Sequence, residues 1–314
     1  MNETLKRVYE IGIIPVIAID DAAKAVPLAR ALADGGLPAA EVTFRTAAAE
    51  DAIKAIAREV PEMLLGAGTV LTTEQADRAM AAGASFIVAP GYDPHVTRHV
   101  IDRGGLMVPG TATAGEMQQA MNQGCEVLKY FPAEANGGVA MLKNIGAALK
   151  GAKWMCTGGV NAKNVNDYLG YSQIVAVGGT WMCKKDLIEA EAWDQITAIC
   201  REAVKTMLGF SLAHVGINCE NESEAEKAAK TLCALFGFDY RAGNSSIFAG
   251  SAVECMKAPY LGKNGHIAIA ANDLDRAVYH LGRQGVEFDE STRKPKAIYL
   301  KDEVGGFAIH LVQK

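Results

Sequence analysis

The stretch EVLKYFPAEANGGVAMLKNIGAALKGAKWMCTGGV, residues 126–160, decides the architecture. An apolar run, Glu126–Pro132, meets a break rich in Ala, Asn and Gly. Val139–Lys150 then carries apolar residues at helical spacing, and a second apolar run, Lys153–Gly158, ends on a glycine pair. A strand, a helix and a strand in that order pair the two strands in parallel, because the crossover returns the chain to the same end of the sheet. Working outward, the same unit recurs from residue 13 to about 208. Further apolar runs lie at Ile13–Ile19, Pro38–Phe44, Met63–Val70, Ser85–Pro90, Leu106–Gly110 and Ile174–Gly178. Helix-like stretches separate them at Ala22–Asp34, Glu50–Val60, Glu74–Ala82, Pro94–Arg103, Glu116–Gln123 and Ala162–Leu169, and a last one runs Leu187–Met207.

Eight such units in this length predict an α/β fold, a closed (β/α)8 TIM barrel, with an open doubly wound sheet as the alternative. The pattern changes after Gly209. Ser211–Cys219 reads as a strand, Glu222–Phe236 as a helix, and Phe238–Ala242, Ser245–Ala249 and Ala252–Met256 as three short strands. The order then restarts with a strand at Gly265–Ala270, a helix at Asp273–Gln284, and strands at Val286–Phe288, Ala297–Lys301 and Phe307–Val312. The two copies begin alike, AHVGIN at 213–218 and GHIAIA at 265–270. The expected organisation is therefore a barrel over 1–209 and an α+β domain of paired βαβββ modules over 210–314.

Charge and composition narrow the function. The chain has 314 residues with 31 Lys and Arg against 36 Asp and Glu, a net charge of −5. No basic excess is available to neutralise phosphates, so a nucleic-acid partner is not expected. The N-terminus MNETLKRVYE lacks the apolar core of a signal peptide, and no stretch is long and apolar enough to span a membrane, so no membrane partner is expected. The 7 cysteines are scattered, odd in number and without a CxxC, as befits reduced thiols in a cytoplasmic protein.

In a barrel of this type chemistry sits at the C-terminal strand ends. Lys129, between apolar neighbours, is desolvated whichever way it points. Leaving water disfavours the ammonium form, and a neutral amine can attack a carbonyl to give an electron-accepting iminium. A buried lysine paired structurally with a carboxylate is the competing reading. Glu41, on a neighbouring strand end, can shuttle protons or serve as that partner. Arg45 suits a substrate carboxylate, since guanidinium binds carboxylate in a fork. Gly158-Gly159 and Gly178-Gly179 follow strands seven and eight, where barrels frequently bind phosphate through backbone N–H groups.

With EVTFRT (41–46), GAGTVL (66–71), APG (89–91), PGTAT (109–113), KYFPAEANGG (129–138), CTGGV (156–160) and VGGTW (177–181) in that order, the barrel resembles the 2-keto-3-deoxy-6-phosphogluconate and 4-hydroxy-2-oxoglutarate aldolases. The resemblance implies a class I lyase without a cofactor, releasing pyruvate and an aldehyde from a small 2-keto acid. It implies Lys129 as Schiff-base residue and Glu41 as general acid and base. Arg45, Thr69 and Thr157 would surround the pyruvate half, with Pro90 and Phe131 packed near it, and Gly158, Gly159, Gly178, Gly179 and Thr180 would hold the distal phosphate. A homo-oligomer, specifically a trimer, is also implied. Thr180 stands where relatives often carry Ser, Cys156 where Pro is common, and Asp20 and Asp21 where a basic residue is frequent, which bears on the aldehyde half. Two other readings remain open: a sugar-phosphate isomerase or epimerase using the glycine pairs without Lys129, and a non-catalytic scaffold for the C-terminal domain.

Residues 211–314 resemble the vicinal-oxygen-chelate group of glyoxalases, extradiol dioxygenases and bleomycin-resistance proteins. His214 and Glu254 lie on the first and fourth strands of one copy, His266 and His310 at the equivalent places in the other. The resemblance implies a divalent metal at these four positions, although the group more often has Glu where His310 stands. A histidine satisfied within the core is the plainer reading of each alone.

Overall fold

The computed structural model describes residues 2–314, which divide into one unit ending at Met207 and a second comprising Leu208–Lys314. The division falls two residues before the boundary read from the sequence. Leu208 and Gly209 already bond into the second unit: Leu208 O accepts from the Asn272 N–H at 2.9 Å and Gly209 O from Lys314 Nζ at 2.6 Å.

In the first unit the strands are β1 (Ile13–Ile17), β2 (Ala39–Thr43), β3 (Leu64–Gly68), β4 (Phe86–Val88), β5 (Met107–Val108), β6 (Gly110–Thr111), β7 (Leu128–Tyr130), β8 (Trp154–Thr157) and β9 (Ile174–Gly179). They form one sheet in the order β5-β4-β3-β2-β1-β9-β8-β7-β6, with every pairing parallel. The two ends of that order are consecutive in the chain, joined through Pro109, so the sheet closes on itself as the expected barrel. The single fifth strand read from the sequence is thus two short pieces. Proline has no N–H to continue a ladder, yet its carbonyl still accepts from the Lys129 N–H at 2.8 Å.

Residues in β1, β2, β3 and β9 are buried along their whole length, as a sheet covered on both faces requires. The covering helices are α1 (Glu3–Ile11), α2 (Ala25–Asp34), α3 (Ala49–Glu59), α4 (Thr73–Ala82), α5 (Pro94–Asp102), α6 (Ala114–Asn122), α7 (Gly138–Ala148), α8 (Val165–Leu169), α9 (Lys185–Glu189) and α10 (Trp193–Leu208). Their starts follow local rules. Thr72 caps α4 by accepting from Gln75 N, and Thr113 with Glu116 forms a reciprocal capping box on α6. The long last helix expected over 187–207 is instead α9 and α10. The chain turns between them at Glu191, whose φ of 53° lies in the left-handed region, and hydrophobic spacing carries no signal of such a turn.

The second unit contains β10 (Ser211–Asn218), α11 (Glu222–Phe236), β11 (Tyr240–Ala242), β12 (Ser246–Ala249) and β13 (Val253–Met256), followed by β14 (Gly265–Ala271), α12 (Leu274–Gly282), β15 (Phe288–Lys294), β16 (Ala297–Val304) and β17 (Phe307–Gln313). That is βαβββ twice. β15 replaces the expected strand at 286–288, starting at its last residue and running on to Lys294. The strand order β11-β12-β13-β10-β14-β17-β16-β15 has two matching halves about an antiparallel β10–β14 seam. In each half the first strand pairs in parallel with the last, β10 with β13 and β14 with β17. α11 covers a small core of Ala225, Ala229, Ile247 and Cys255.

Candidate active site

Lys129 on β7 points into the barrel and reaches Glu41 on β2: Nζ donates to Oε1 at 2.9 Å, with Lys129 5% and Glu41 0% exposed. Gly68 makes room for the carboxylate. The other carboxylate oxygen, Oε2, is buried with no hydrogen-bond partner among the described residues. Phe131 presents its ring face to the amine, with Nζ 5.4 Å from the centroid, within the range of a cation–π contact.

A cavity of about 230 Å³ opens over this pair. Its wall contains every barrel residue expected at the site: Glu41, Arg45, Thr69, Pro90, Lys129, Phe131, Thr157, Gly158, Gly159, Gly178, Gly179 and Thr180. Three more, Val16, Thr43 and Val160, had not been expected. Thr43 stands two residues beyond Glu41, and strand periodicity alone puts both side chains on one face. Its Oγ1 donates to Ile17 O at 2.8 Å and accepts from Arg45 Nε at 3.2 Å, steering the guanidinium. Thr69 adopts φ 56°, costly for a β-branched residue. Thr157 Oγ1 is buried and unpartnered among the described residues.

At the glycine end, Gly158 and Gly159 take φ of 102° and 84°, backbone states that only glycine adopts freely. Asp20 and Asp21 do not line the cavity. Asp20 pairs with Lys185 at 2.8 Å, and Asp21 accepts from Ala23 N at 2.9 Å. Their negative charge therefore does not bear directly on an anion in the cavity.

In the second unit His214, His266 and His310 offer ring nitrogens within 4.8 Å of one another. Glu254 Oε2 lies 3.1 Å from Nε2 of both His214 and His266. The register explains the convergence. Gly216 on β10 stands between Glu254 and His266, and Ala268 on β14 between His214 and His310. Small residues there leave room for the imidazoles, and a β-carbon on Gly216 would meet the His266 ring at 2.1 Å. Tyr299 stacks on His310 with centroids 4.5 Å apart. Burial lowers the pKa of His310, to about 3. Burial opposes ionisation of Glu254, yet hydrogen bonds from His214, His266 and Ser246 hold its carboxyl well below the usual range.

A buried amine bonded to a carboxylate inside a barrel mouth is the equipment of an enzyme that works through a Schiff base. The family model described as KDPG and KHG aldolase matches residues 4–199. The 2-dehydro-3-deoxy-phosphogluconate aldolase of Treponema pallidum (strain Nichols) is 42% identical over 203 residues, 65% of this chain and 95% of that protein. The KHG/KDPG aldolase of Escherichia coli (strain K12) is 40% identical over 193 residues, 62% of this chain and 91% of that protein. Among solved structures, KDPG aldolase from Legionella pneumophila, with pyruvate captured as a covalent carbinolamine intermediate, is 35% identical with a TM-score of 0.62, covering 64% of this chain and 98% of that one. The chain belongs to the KDPG and KHG aldolase family. It is a class I carbon–carbon lyase.

Proposed function

We propose that this chain cleaves 2-keto-3-deoxy-6-phosphogluconate to pyruvate and glyceraldehyde 3-phosphate, and 4-hydroxy-2-oxoglutarate to pyruvate and glyoxylate. The observation that carries this is the buried Lys129–Glu41 pair on the cavity wall, with Glu41 Oε2 left without a hydrogen-bond partner among the described residues. Arg45 receives the substrate carboxylate, with the Thr69 and Thr157 hydroxyls beside it. The Lys129 amine adds to the C2 ketone, and the carbinolamine loses water as Glu41 supplies the proton. Glu41 then takes the C4 hydroxyl proton. The C3–C4 bond breaks, its electrons pass into the iminium, and the aldehyde departs. Glu41 returns the proton to C3 of the enamine, and water hydrolyses the iminium to pyruvate and free Lys129. Phe131 and Pro90 pack the pyruvate half, and the backbone at Gly158, Gly159, Gly178, Gly179 and Thr180 receives the phosphate. Borohydride reduction in the presence of pyruvate, followed by peptide mass spectrometry, tests this: a pyruvyl adduct on Lys129 is expected, and its absence from every lysine would overturn the assignment.

The second unit, in this reading, is a vicinal-oxygen-chelate module in which His214, Glu254, His266 and His310 hold a divalent transition metal or zinc. Three imidazoles and a carboxylate are a fitting donor set. His310, though buried, has neither ring nitrogen hydrogen-bonded among the described residues. Such a metal supplies Lewis acidity when bound, while Tyr299 fixes the plane of the His310 ring. Metal analysis of the purified chain, with and without His310→Ala, tests this part; equal stoichiometry would overturn it.

We infer a homo-oligomer, a trimer of barrels, in the cytoplasm. Similarity at 25% identity and TM-score 0.55 to a cage designed by fusing symmetric oligomeric domains supports the former. The absence of disulfides among the described residues accords with a reducing compartment, and no described helix is long and apolar enough to cross a membrane. Light scattering on the purified chain would settle the trimer.

A further inference from the structure

We propose that Asn161, Asn164 and the Tyr168–Glu134 pair are positioning residues that shape the Gly158–Val160 backbone into an anion socket, and that they set the preference for a phosphate-bearing aldehyde half. The inference rests on the aldolase reading above. It starts from the planarity of the trans peptide, in which the C=O of one residue and the N–H of the next point in opposite directions. Whatever holds successive carbonyls one way aims the following N–H groups the other.

That arrangement is present at the end of β8. Thr157 O accepts from the Ala133 N–H at 2.8 Å, and Gly158 O from the Glu134 N–H at 3.0 Å. Gly159 O accepts from Asn161 Nδ2 at 2.9 Å and from Asn164 Nδ2 at 3.3 Å. Asn164 is itself held, its Oδ1 accepting from the Asn161 N–H at 2.8 Å. The N–H groups of Gly159 and Val160 have no hydrogen-bond acceptor among the described residues, and both residues line the cavity, next to Gly158, whose N–H lies in the β8–β9 ladder where Thr157 pairs with Gly178. Successive free N–H groups of this kind form an anion-binding concavity.

The Glu134 side chain closes the outer side. A β-carbon on Gly159 would meet Glu134 Cγ at 2.5 Å, so the two are in close packing contact. Glu134 is fixed in turn by the hydroxyl of Tyr168, which donates to Oε1 and belongs to a residue only 1% exposed. The pairing engages the carboxylate on the outer side of the turn. Arg45 and Lys129 are the only cationic side chains on the described cavity wall. Both are assigned to the pyruvate half, so recognition of the far anion falls to the backbone. In 4-hydroxy-2-oxoglutarate the far carboxylate adjoins C4, whereas the phosphate of the six-carbon substrate lies farther out. Only the longer substrate needs the socket.

The test compares both substrates in Tyr168→Phe, Asn161→Ala and the double variant Asn161→Ala/Asn164→Ala, with inorganic phosphate as a competitive probe. Loss of a modest hydrogen bond to the supporting carbonyl should raise KM for the phosphorylated substrate, and Ki for phosphate, by about five- to tenfold. Its kcat should stay within about twofold, as should KM and kcat for 4-hydroxy-2-oxoglutarate, because no reacting group is touched. Equal losses with both substrates would mean that these residues only support the fold, and unchanged constants would mean that they do not shape the socket; either overturns the proposal. A wild-type chain showing no lower KM for the phosphorylated substrate would instead overturn the phosphate assignment underneath it. That outcome is distinguishable because it appears before any substitution is made.

Discussion

Gly68 faces Glu41 so closely that a β-carbon built on Gly68 would lie 2.2 Å from Oε1 and 2.7 Å from Cγ. The carboxylate can occupy its place beside Lys129 only because residue 68 has no side chain. Gly68→Ala should therefore push Glu41 off the amine. A displacement of about 1 Å costs roughly a hundredfold in rate when a proton carrier is misplaced. Steady-state kinetics on a variant with an unchanged circular dichroism spectrum would check this, and a kcat within threefold of wild type would sink it.

Breaking the Lys129–Glu41 pair from one side should also be visible in stability. Lys129→Met leaves the Glu41 carboxylate buried and unpaired, at a cost of about 3–5 kcal/mol. Adding Glu41→Gln removes the uncompensated charge and should recover most of that loss, while turnover stays absent in both. Urea unfolding of the two single variants and the double variant measures the coupling. Strict additivity would contradict the pairing.

Thr69 presents the opposite trade. Holding a threonine at φ 56° costs on the order of 1–3 kcal/mol, and glycine relieves it at an entropic penalty of about 0.5–1 kcal/mol. Thr69→Gly should raise the melting temperature by a few degrees and, on the proposed placing of its hydroxyl beside the pyruvate half, raise KM for every substrate. A less stable variant would show that Thr69 is not strained.

The metal reading predicts that Gly216→Ala, whose methyl group would collide with the His266 ring, weakens cobalt or zinc binding by about 10–100-fold. Calorimetric titration against the wild type decides it. Affinity unchanged by the methyl group would place the metal elsewhere or nowhere.

Thiol chemistry should divide the cysteines sharply. Burial pushes the Cys125 and Cys255 thiols up to about 11 and Cys200 up to about 12. At pH 8 each then holds at most about one part in a thousand as the reactive thiolate. Cys233 is the partly exposed one. Brief iodoacetamide treatment of the native chain should label Cys233 and spare those three, and rapid labelling of Cys125 would refute the burial described.

Much of the barrel was legible because each unit declares itself twice, in an apolar run and in a helical period. Lys129, Glu41 and the glycine pairs stood out as a charge in an apolar run and glycines after two successive strands; a structural ion pair explains the charges equally well on position alone, and the motif resemblance tips the balance. Val16 and Val160 gave no such signal, since a valine lining a cavity reads like any core valine. The split at Pro109 and the turn at Glu191 were also hidden. Hydrophobic spacing continues across both; the proline at 109 was the one sequence sign of the first, and a left-handed φ reveals the second. Helix α1 gives only a faint signal in a polar N-terminus, although Asn2 caps it and Leu5, Val8 and Ile11 form its buried stripe. In the second unit the placing of His214, Glu254, His266 and His310 at matching points of the two copies was readable from the repeat. The small residues between them, Gly216 and Ala268, acquire meaning only with the register.

The seam at Pro109 has a consequence for how this enzyme fails. Lys129 donates its N–H to Pro109 O at 2.8 Å, and its carbonyl accepts from Thr111 Oγ1 at 3.1 Å, so the lysine proposed as nucleophile is stitched to the joint itself and to the strand that follows it. A barrel that springs open there by local fluctuation carries its own reactive amine away from Glu41 in the same movement. Catalytic competence and cylinder integrity are then one cooperative event, and turnover reports on the weakest stave of the barrel.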